Sequence, residues 1–252
     1  MINYQCNYSY SKGYCNNMAG HSKWKNIKHK KAAADAVKMK KFTKLSKEIT
    51  VAAKFGNDIA SNPTLRTLIE KANQINMPKE NYMRAIKKAS GIDAAHYETS
   101  FYEGYGPENV AVIVEVLSDN KNRAAAEVRR VFTHNGGRVA EPGSVGWMFT
   151  KSGLFDGEAA FCTEEELLEG LLDFRLYDFI FEDSNFYIAL DVNDFAKAKE
   201  VLLQLKCILH ESHIGYHPHD KLELSDAAQE KVSHFVEVLE EVEDIQNVYL
   251  NI

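Results

Sequence analysis

The spacing of apolar residues predicts three helices in the first third of the chain. Over residues 29–55, apolar side chains recur at three- and four-residue steps, which is the pattern of one helix face. Gly56 follows as a natural C-terminal stop. Asn62 and Pro63 have the character of an N-cap and a first helical residue, and a third helix is predicted over residues 78–91. Together these helices form a small N-terminal domain.

Beyond residue 98 the pattern changes to strands that alternate with helices of modest length. The apolar, β-branched run at residues 109–117 predicts a buried strand. Further strands are predicted at residues 144–149, 186–190, 207–216 and 248–250. Helices are predicted after a cap at Asp119 or Asn120, over residues 164–172 and 194–206, and after a cap at Ser225. This alternation indicates α+β units, each a small sheet with helices on one face.

Charge is divided sharply between two parts of the chain. The basic head (residues 18–97) holds 17 Lys and Arg against 6 Asp and Glu, whereas the acidic body (residues 98–252) holds 12 against 30. The net charge of −6 for the whole chain conceals this separation. A cluster of lysines attracts a polyanion, because each lysine placed near a phosphate releases a condensed counterion. The alternative is a solvated basic face with no ligand.

The most basic segment, residues 18–31, combines five lysines with Trp24 and two histidines. Lysines supply phosphate attraction without sequence preference, and an exposed tryptophan offers a face for stacking on a base. Trp24 has the alternative role of an anchor packed onto the helical domain. Residues 20–54 contain eleven lysines and no arginine, which favours contacts with the phosphate backbone over base reading. Sequence specificity is therefore expected to be weak.

The predicted nucleic-acid-binding residues lie in the basic head. The helices on either side of residues 74–77 have two interpretations, a helix-turn-helix and a plain helical hairpin, of which we favour the hairpin. The predicted residues are His21, Ser22, Lys23, Trp24, Lys25, Lys28, His29, Lys30, Lys31, Lys38, Lys40, Lys41, Lys44, Lys47, Lys79, Arg84, Lys87 and Lys88.

Other features limit the remaining classes of function. No apolar run approaches the ~20 residues that span a bilayer, and the scattered cysteines favour free thiols in a reducing, cytoplasmic compartment. No P-loop, nucleophile elbow or complete dinucleotide fingerprint occurs, so we expect no enzyme, no cofactor and no small-molecule substrate. Residues 1–17 are interpreted as a flexible tail or an over-extended start before Met18.

Histidines are dense near residue 213. Metal binding is one interpretation, since imidazoles at this density can ligate zinc or nickel. The spacing matches no standard finger, so we expect surface histidines and no metal. The group consists of His210, His213, His217 and His219, with Cys207 and Asp220 nearby.

Several motifs resemble the YebC/PmpR family, whose mitochondrial relative is the translational activator of cytochrome c oxidase. The resemblance covers essentially residues 18–252. It lies in MAGHSKWKNIKHKKAAAD (18–35), LRTLIEKANQINMPKENYMRAIKKASG (65–91), YEGYGP (102–107), SDNKNR (118–123), Gly136-Gly137, GSV (143–145) and VYLN (248–251). This chain departs from the family pattern at Val139-Ala140 and at His217-Pro218.

The resemblance implies an α+β fold, in which an N-terminal three-helix domain precedes two ferredoxin-like α+β domains, one inserted into the other. The implied boundaries are residues 18–97, then 98–147 with 212–252, and an insert at 148–211. It also implies a DNA-binding transcriptional regulator, or a ribosome-associated factor that relieves translation stalling at proline-rich stretches. Nucleic acid or the ribosome is then the expected partner, and no membrane is.

Overall fold

A computed structural model describes residues 34–89 and 97–252, with the backbone alone over residues 34–38. The predicted helical domain is present as α1 (Ala34–Ala53), α2 (Pro63–Gln74) and α3 (Lys79–Ala89). Asn62 is the predicted N-cap of α2, because its side chain accepts the N–H of Leu65 at 3.0 Å. The same side chain donates to the carbonyl oxygens of Ala52 and Gly56, so one residue links the end of α1 to the start of α2.

The three helices enclose a core of their own. Ile49 of α1, Leu65 of α2 and Ile86 of α3 are all buried in it. Thr50 also donates to the carbonyl oxygen of Ala85 at 3.2 Å, which joins α1 to α3. The apolar stripes that predicted the helices are therefore the faces that the domain buries.

The first sheet has four antiparallel strands in the order β3-β1-β2-β8. The predicted strand at 109–117 begins two residues later, because Pro107–Asn109 form a short turn in which Glu108 and Asn109 have positive φ. Helices α4 and α7 cover one face, and Asn120 caps α4. The elements are β1 (Glu98–Tyr105), β2 (Ala111–Ser118), α4 (Lys121–His134), β3 (Arg138–Val139), α7 (Asp226–Glu241) and β8 (Ile245–Leu250).

The second sheet is inserted between β3 and α7 and has the strand order β5-β6-β4-β7. Its β-α-β-β-α-β sequence of elements and its strand order are those of a ferredoxin-like domain. The first sheet has the same spatial arrangement, except that the strand equivalent to β6 comes first in the chain as β1. The inserted elements are β4 (Phe149–Glu158), α5 (Glu164–Gly170), β5 (Leu176–Glu182), β6 (Asn185–Asp191), α6 (Phe195–Gln204) and β7 (Ile208–Pro218).

Two sequence predictions are corrected in this region. The strand predicted at residues 144–149 begins only at Phe149, since Gly146–Met148 form a 3-10 turn. β7 pairs with β4 along its whole length, up to Pro218. The boundary expected between residues 211 and 212 therefore falls inside a strand of the second sheet.

The two sheets pack face to face, with helices on their outer sides. β2 is buried on both faces: Val112 and Val114 face the helices, whereas Ala111 and Ile113 face the second sheet. Gly215 of β7 allows the close approach, because a Cβ there would lie 2.7 Å from the ring of Tyr249. This packing explains why the sequence of β2 is apolar without alternation.

Candidate nucleic-acid interface

Three of the predicted lysines on α1 face the acidic body. The Lys40 ammonium lies 3.5 Å from the Glu241 carboxylate, and Lys44 donates to the carbonyl oxygen of Gln246 at 3.3 Å. Lys47 is only 7% exposed and binds Asp244 at 2.7 Å. The ammonium of Lys47 therefore lies inside the protein, which corrects its prediction as a phosphate contact.

Asp244 is the centre of a buried polar network between the basic head and the acidic body. Besides the Lys47 ammonium, its carboxylate accepts from Arg123 at 2.9 Å and from Ser118 at 2.8 Å. Lys47 also donates to the carbonyl oxygen of Glu243 at 3.0 Å. Asp244 is only 5% exposed, because the chain turns inward after α7.

The other described cations of the predicted site point to solvent. Lys41 on α1 is exposed, as are Lys79, Arg84 and Lys87 on α3. Lys88 is exposed too, and its ammonium lies 5.5 Å from the centre of the Tyr97 ring and donates to the Tyr97 hydroxyl. Arg84, Lys87 and Lys88 fall at i, i+3 and i+4, so they share one face of α3.

The remaining predicted residues lie outside the part of the chain described with side chains. They therefore stay predictions, and they include the lysine-rich segment. They are His21, Ser22, Lys23, Trp24, Lys25, Lys28, His29, Lys30, Lys31 and Lys38.

The connection between α2 and α3 is a tight turn. Asn76 has a φ of 55°, and the Met77 N–H donates to the carbonyl oxygen of Ala72 at 2.8 Å. The Met77 side chain is buried in the helical core. The turn places α3 against α1 and leaves its cationic face outward.

A second surface feature lies at the GSV motif. The Glu103 carboxylate accepts the backbone N–H groups of Gly143, Val145 and Gly146 at 2.7 to 2.8 Å. Partial burial raises the pKa of Glu103, but these three hydrogen bonds outweigh it and hold the pKa below its usual value. The pinned loop presents Trp147, which is 70% exposed. Alternation of apolar and polar residues predicts strands and gives no signal for a loop of this kind, so the exposed Trp147 was not predicted.

The histidine cluster does not converge on one point. Among the described residues, no group of three His, Cys, Asp or Glu side chains is placed to hold a metal ion. His210 is exposed, while His219 contacts Thr150. His217 was expected at the surface but is buried, and its Nδ1 lies 3.2 Å from the Tyr187 hydroxyl.

His217 makes the fold sensitive to acid. Burial lowers its pKa to about 4, with help from the positive charges of Lys221 and His219 and against the opposing charge of Asp178. In the unfolded chain this histidine has a pKa near 6.5, so the unfolded state takes up the proton at a higher pH than the folded state. We therefore expect full stability well above pH 6.5 and a loss of about 3 kcal/mol as the pH falls to 4.

Urea unfolding at pH 7 and pH 4.5 measures this effect. His217→Gln removes the titration and keeps a hydrogen-bonding group, so its loss between the two pH values should be smaller. His210→Gln, at an exposed histidine of the same strand, is the matched control and should lose as much as the unchanged protein. Equal losses in all three proteins would contradict the assignment to His217.

Two of the scattered cysteines meet in the inserted domain. The sulfur atoms of Cys162 and Cys207 lie 3.8 Å apart, and both thiols are free. Burial is the main cause that raises the pKa of Cys207 to about 12, and the neighbouring Cys162 thiol adds to it. The Cys207 thiol is therefore a poor nucleophile at neutral pH. The separation of 45 residues along the chain gave no signal of this contact.

These features define a three-domain α+β protein with a cationic helical domain fixed to an acidic two-sheet body. Comparison with known proteins places it in a family. Residues 22–92 match the TACO1/YebC protein N-terminal domain, and residues 97–252 match the TACO1/YebC second and third domain. The chain belongs to the TACO1/YebC family, which confirms the resemblance seen in the sequence.

Its relatives carry a regulatory name. A protein of Treponema denticola is 44% identical over 93% of this chain and 96% of its own length, and one of Chloroherpeton thalassium is 43% identical over 93% and 95%. Both are named probable transcriptional regulatory proteins. The crystal structure of a conserved hypothetical protein from Aquifex aeolicus is similar, with a TM-score of 0.79 and 38% identity over 89% of this chain and 94% of that one.

No helix in the described residues is both long and apolar enough to cross a membrane.

Proposed function

We propose that this protein is a non-enzymatic, nucleic-acid-binding regulator of gene expression that acts on the ribosome and relieves stalling at proline-rich stretches. The observation that carries the nucleic-acid part is the outward cationic surface of the helical domain. Lys41, Lys79, Arg84 and Lys87 are exposed there, and the lysine-rich segment at residues 18–31 precedes α1. The regulatory names of the relatives agree with such a role.

The acidic body favours the ribosome over free duplex DNA. Lys47 and Asp244 fix the helical domain to the acidic body. A phosphate surface that contacts the exposed lysines therefore also lies close to the negative charge of the body. Naked duplex DNA is uniformly negative, so it repels the acidic body. A ribosome offers basic proteins beside its RNA, and such a composite surface can accept both parts of the molecule.

A DNA-binding transcriptional regulator is the second candidate. It is supported by the names of the relatives, which are probable transcriptional regulatory proteins. In that role, the face of α3 that carries Arg84, Lys87 and Lys88 would lie along the duplex, with phosphate contacts dominating. Only Arg84 in this group has the planar fork that arginine uses to read guanine, whereas the lysines act as point charges, so discrimination between sequences would be weak.

Sedimentation of cell lysate through a sucrose gradient tests the proposal. We expect the protein to travel with ribosomal particles at low salt and to return to the top of the gradient when the salt is raised, because lysine–phosphate contacts are salt-sensitive. Translation of a reporter with consecutive prolines should also speed up when the purified protein is added to a depleted extract. A protein that stays at the top of the gradient at low salt and retains promoter DNA would reject the ribosomal role in favour of the second candidate.

A further inference from the structure

A cavity lies where the three domains meet. It has a volume of about 470 Å³ and is lined by α1, α2, β7 and one end of the first sheet, where β1, β2 and β8 lie side by side. This volume falls within the range of sites that hold small molecules. None of the residues proposed to contact nucleic acid lines it, so the cavity is separate from the proposed nucleic-acid surface.

The charged side chains of the cavity are mainly acidic. Glu48 of α1, Glu115 of β2 and Glu211 of β7 line it, against Lys71 of α2 and His213, whose Nδ1 lies 3.5 Å from the Glu211 carboxylate. Glu115 is fixed in place, because its Oε2 accepts from Asn247 at 2.8 Å and from Tyr249 at 3.3 Å. Three carboxylates from three separate elements therefore create a negative potential in one half-open cleft.

An unsatisfied amide points to a ligand at the same place. Gln246 of β8 lines the cavity, and its side-chain nitrogen and oxygen are both buried with no hydrogen-bond partner among the described residues. Buried polar atoms almost always have a partner, so each exception calls for an explanation. An N–H group brought in by a ligand would satisfy the amide oxygen.

The cavity also has an apolar wall. Val51, Leu68 and Leu117 contribute side chains from three elements, and Ile214 adds a fourth. A ligand that fits both parts has a cationic nitrogen for the carboxylates and an aliphatic stem for these side chains. A bare metal ion does not meet this description.

We propose that the cavity binds an alkylammonium group, with its nitrogen among Glu48, Glu211 and Gln246 and its methylene stem against the apolar wall. This chemistry has two sources, a free polyamine and the side chain of a lysine in a basic peptide. Since all three domains line the cavity, the ligand stabilises their docked arrangement by binding only the docked state.

The electrostatics of Glu48 agree with this ligand. Burial is the main cause that raises the pKa of its carboxyl group, and the charges of Glu115 and Glu211 add to it, while Lys71 and Lys44 oppose it. An ammonium group in the cavity would add a positive charge beside this carboxyl group. The side chain is thus in an unfavourable environment that a cationic ligand would relieve.

Isothermal titration calorimetry of the full chain tests the proposal without nucleic acid. The probes are spermidine and a short peptide with one central lysine, and Mg²⁺ serves as a cation without a stem. We expect one molecule of spermidine or of peptide to bind per chain. Tighter binding of spermidine would identify a free polyamine as the ligand, and tighter binding of the peptide would identify a lysine side chain. If neither probe binds, the proposal is overturned.

Variants assign the binding to the cavity. Glu48→Gln and Glu211→Gln should each weaken binding at least tenfold, and Gln246→Leu should weaken it with no change in charge. Glu237→Gln removes the same charge from an exposed position on α7 and should leave binding unchanged. Equal weakening by Glu237→Gln, or competition by Mg²⁺ at the same concentration, would show attraction to the acidic surface and overturn the proposal.

Thermal melting of each variant confirms that it is folded. Failure of this experiment leaves the nucleic-acid function untouched, because the two surfaces share no residue.

Discussion

Asp244→Ala is expected to lower the free energy of unfolding by about 3–5 kcal/mol at pH 7. Lys47 would keep its ammonium in a site that is 7% exposed while losing the carboxylate 2.7 Å away. Arg123 and Ser118 would lose the same acceptor. Lys47 would retain the carbonyl oxygen of Glu243 at 3.0 Å and the exposed carboxylate of that residue at 3.7 Å, so its buried ammonium would be only partly compensated. Removing one partner of a buried ion pair is among the largest destabilising changes that a single substitution can make.

Urea unfolding measures this loss, and two further variants locate its cause. Glu241→Ala removes an exposed carboxylate that meets Lys40 at 3.5 Å, so it should cost less than about 0.5 kcal/mol. The double variant Lys47→Met with Asp244→Leu removes both charges and should recover most of the stability. A cost below 1 kcal/mol for Asp244→Ala would show that the network does not hold the head to the body.

The pH dependence of this network has a definite sign. Burial raises the pKa of Asp244, but the hydrogen bonds from Lys47, Arg123 and Ser118 outweigh it and hold the pKa below 3.8. A depressed carboxyl pKa contributes stability that is present above the unfolded value and is lost as the pH falls through the folded one. The loss should therefore come at a lower pH than the loss caused by His217, and Asp244→Ala should remove it.

Local patterns in the sequence were sufficient to predict most of the helices. Asn62 and Pro63 mark the start of α2, Ser225 caps α7, and the apolar stripes are the buried faces, since a helix is specified by neighbours three and four residues apart. β1 and β5 were not predicted, because a half-buried strand is recognised by regular alternation of apolar and polar residues. Their sequences, ETSFYEGY and LYDFIFE, have mostly half-buried or exposed positions, so neither alternates cleanly.

The interactions between domains could not be predicted in this way. Lys47 and Asp244 are separated by 197 positions, and nothing in either local sequence marks one as the partner of the other. Glu48, Glu115 and Glu211 come together only because α1 docks against β2 and β7. A basic head and an acidic body suggested attraction to a polyanion, but part of that complementarity is used within the molecule.

Several cations of α3 remain exposed and available to a partner. The triple variant Lys79→Glu, Arg84→Glu and Lys87→Glu changes exposed positions of α3 and leaves the contacts between head and body intact. At about 1 kcal/mol for each lost phosphate contact, we expect affinity for nucleic acid to fall on the order of a hundredfold. The slope of log affinity against log salt, roughly −5 for six neutralised phosphates of duplex DNA, should become shallower by about 3.

A matched variant separates a binding surface from net charge. Lys151→Glu, Lys197→Glu and Lys206→Glu make the same change in charge at exposed positions of the acidic body. If the helical domain is the interface, this control should change the affinity less than threefold. Both variants should melt within a few degrees of the unchanged protein, because all six positions are exposed.

Fluorescence anisotropy with labelled single-stranded RNA and labelled duplex, recorded across a salt series for these three proteins, is the most direct measurement. The account predicts a large loss of affinity and a shallower salt slope for the α3 variant alone. Unchanged binding by the α3 variant, or equal weakening by the control in the body, would contradict the central claim that the cationic surface of the helical domain binds nucleic acid.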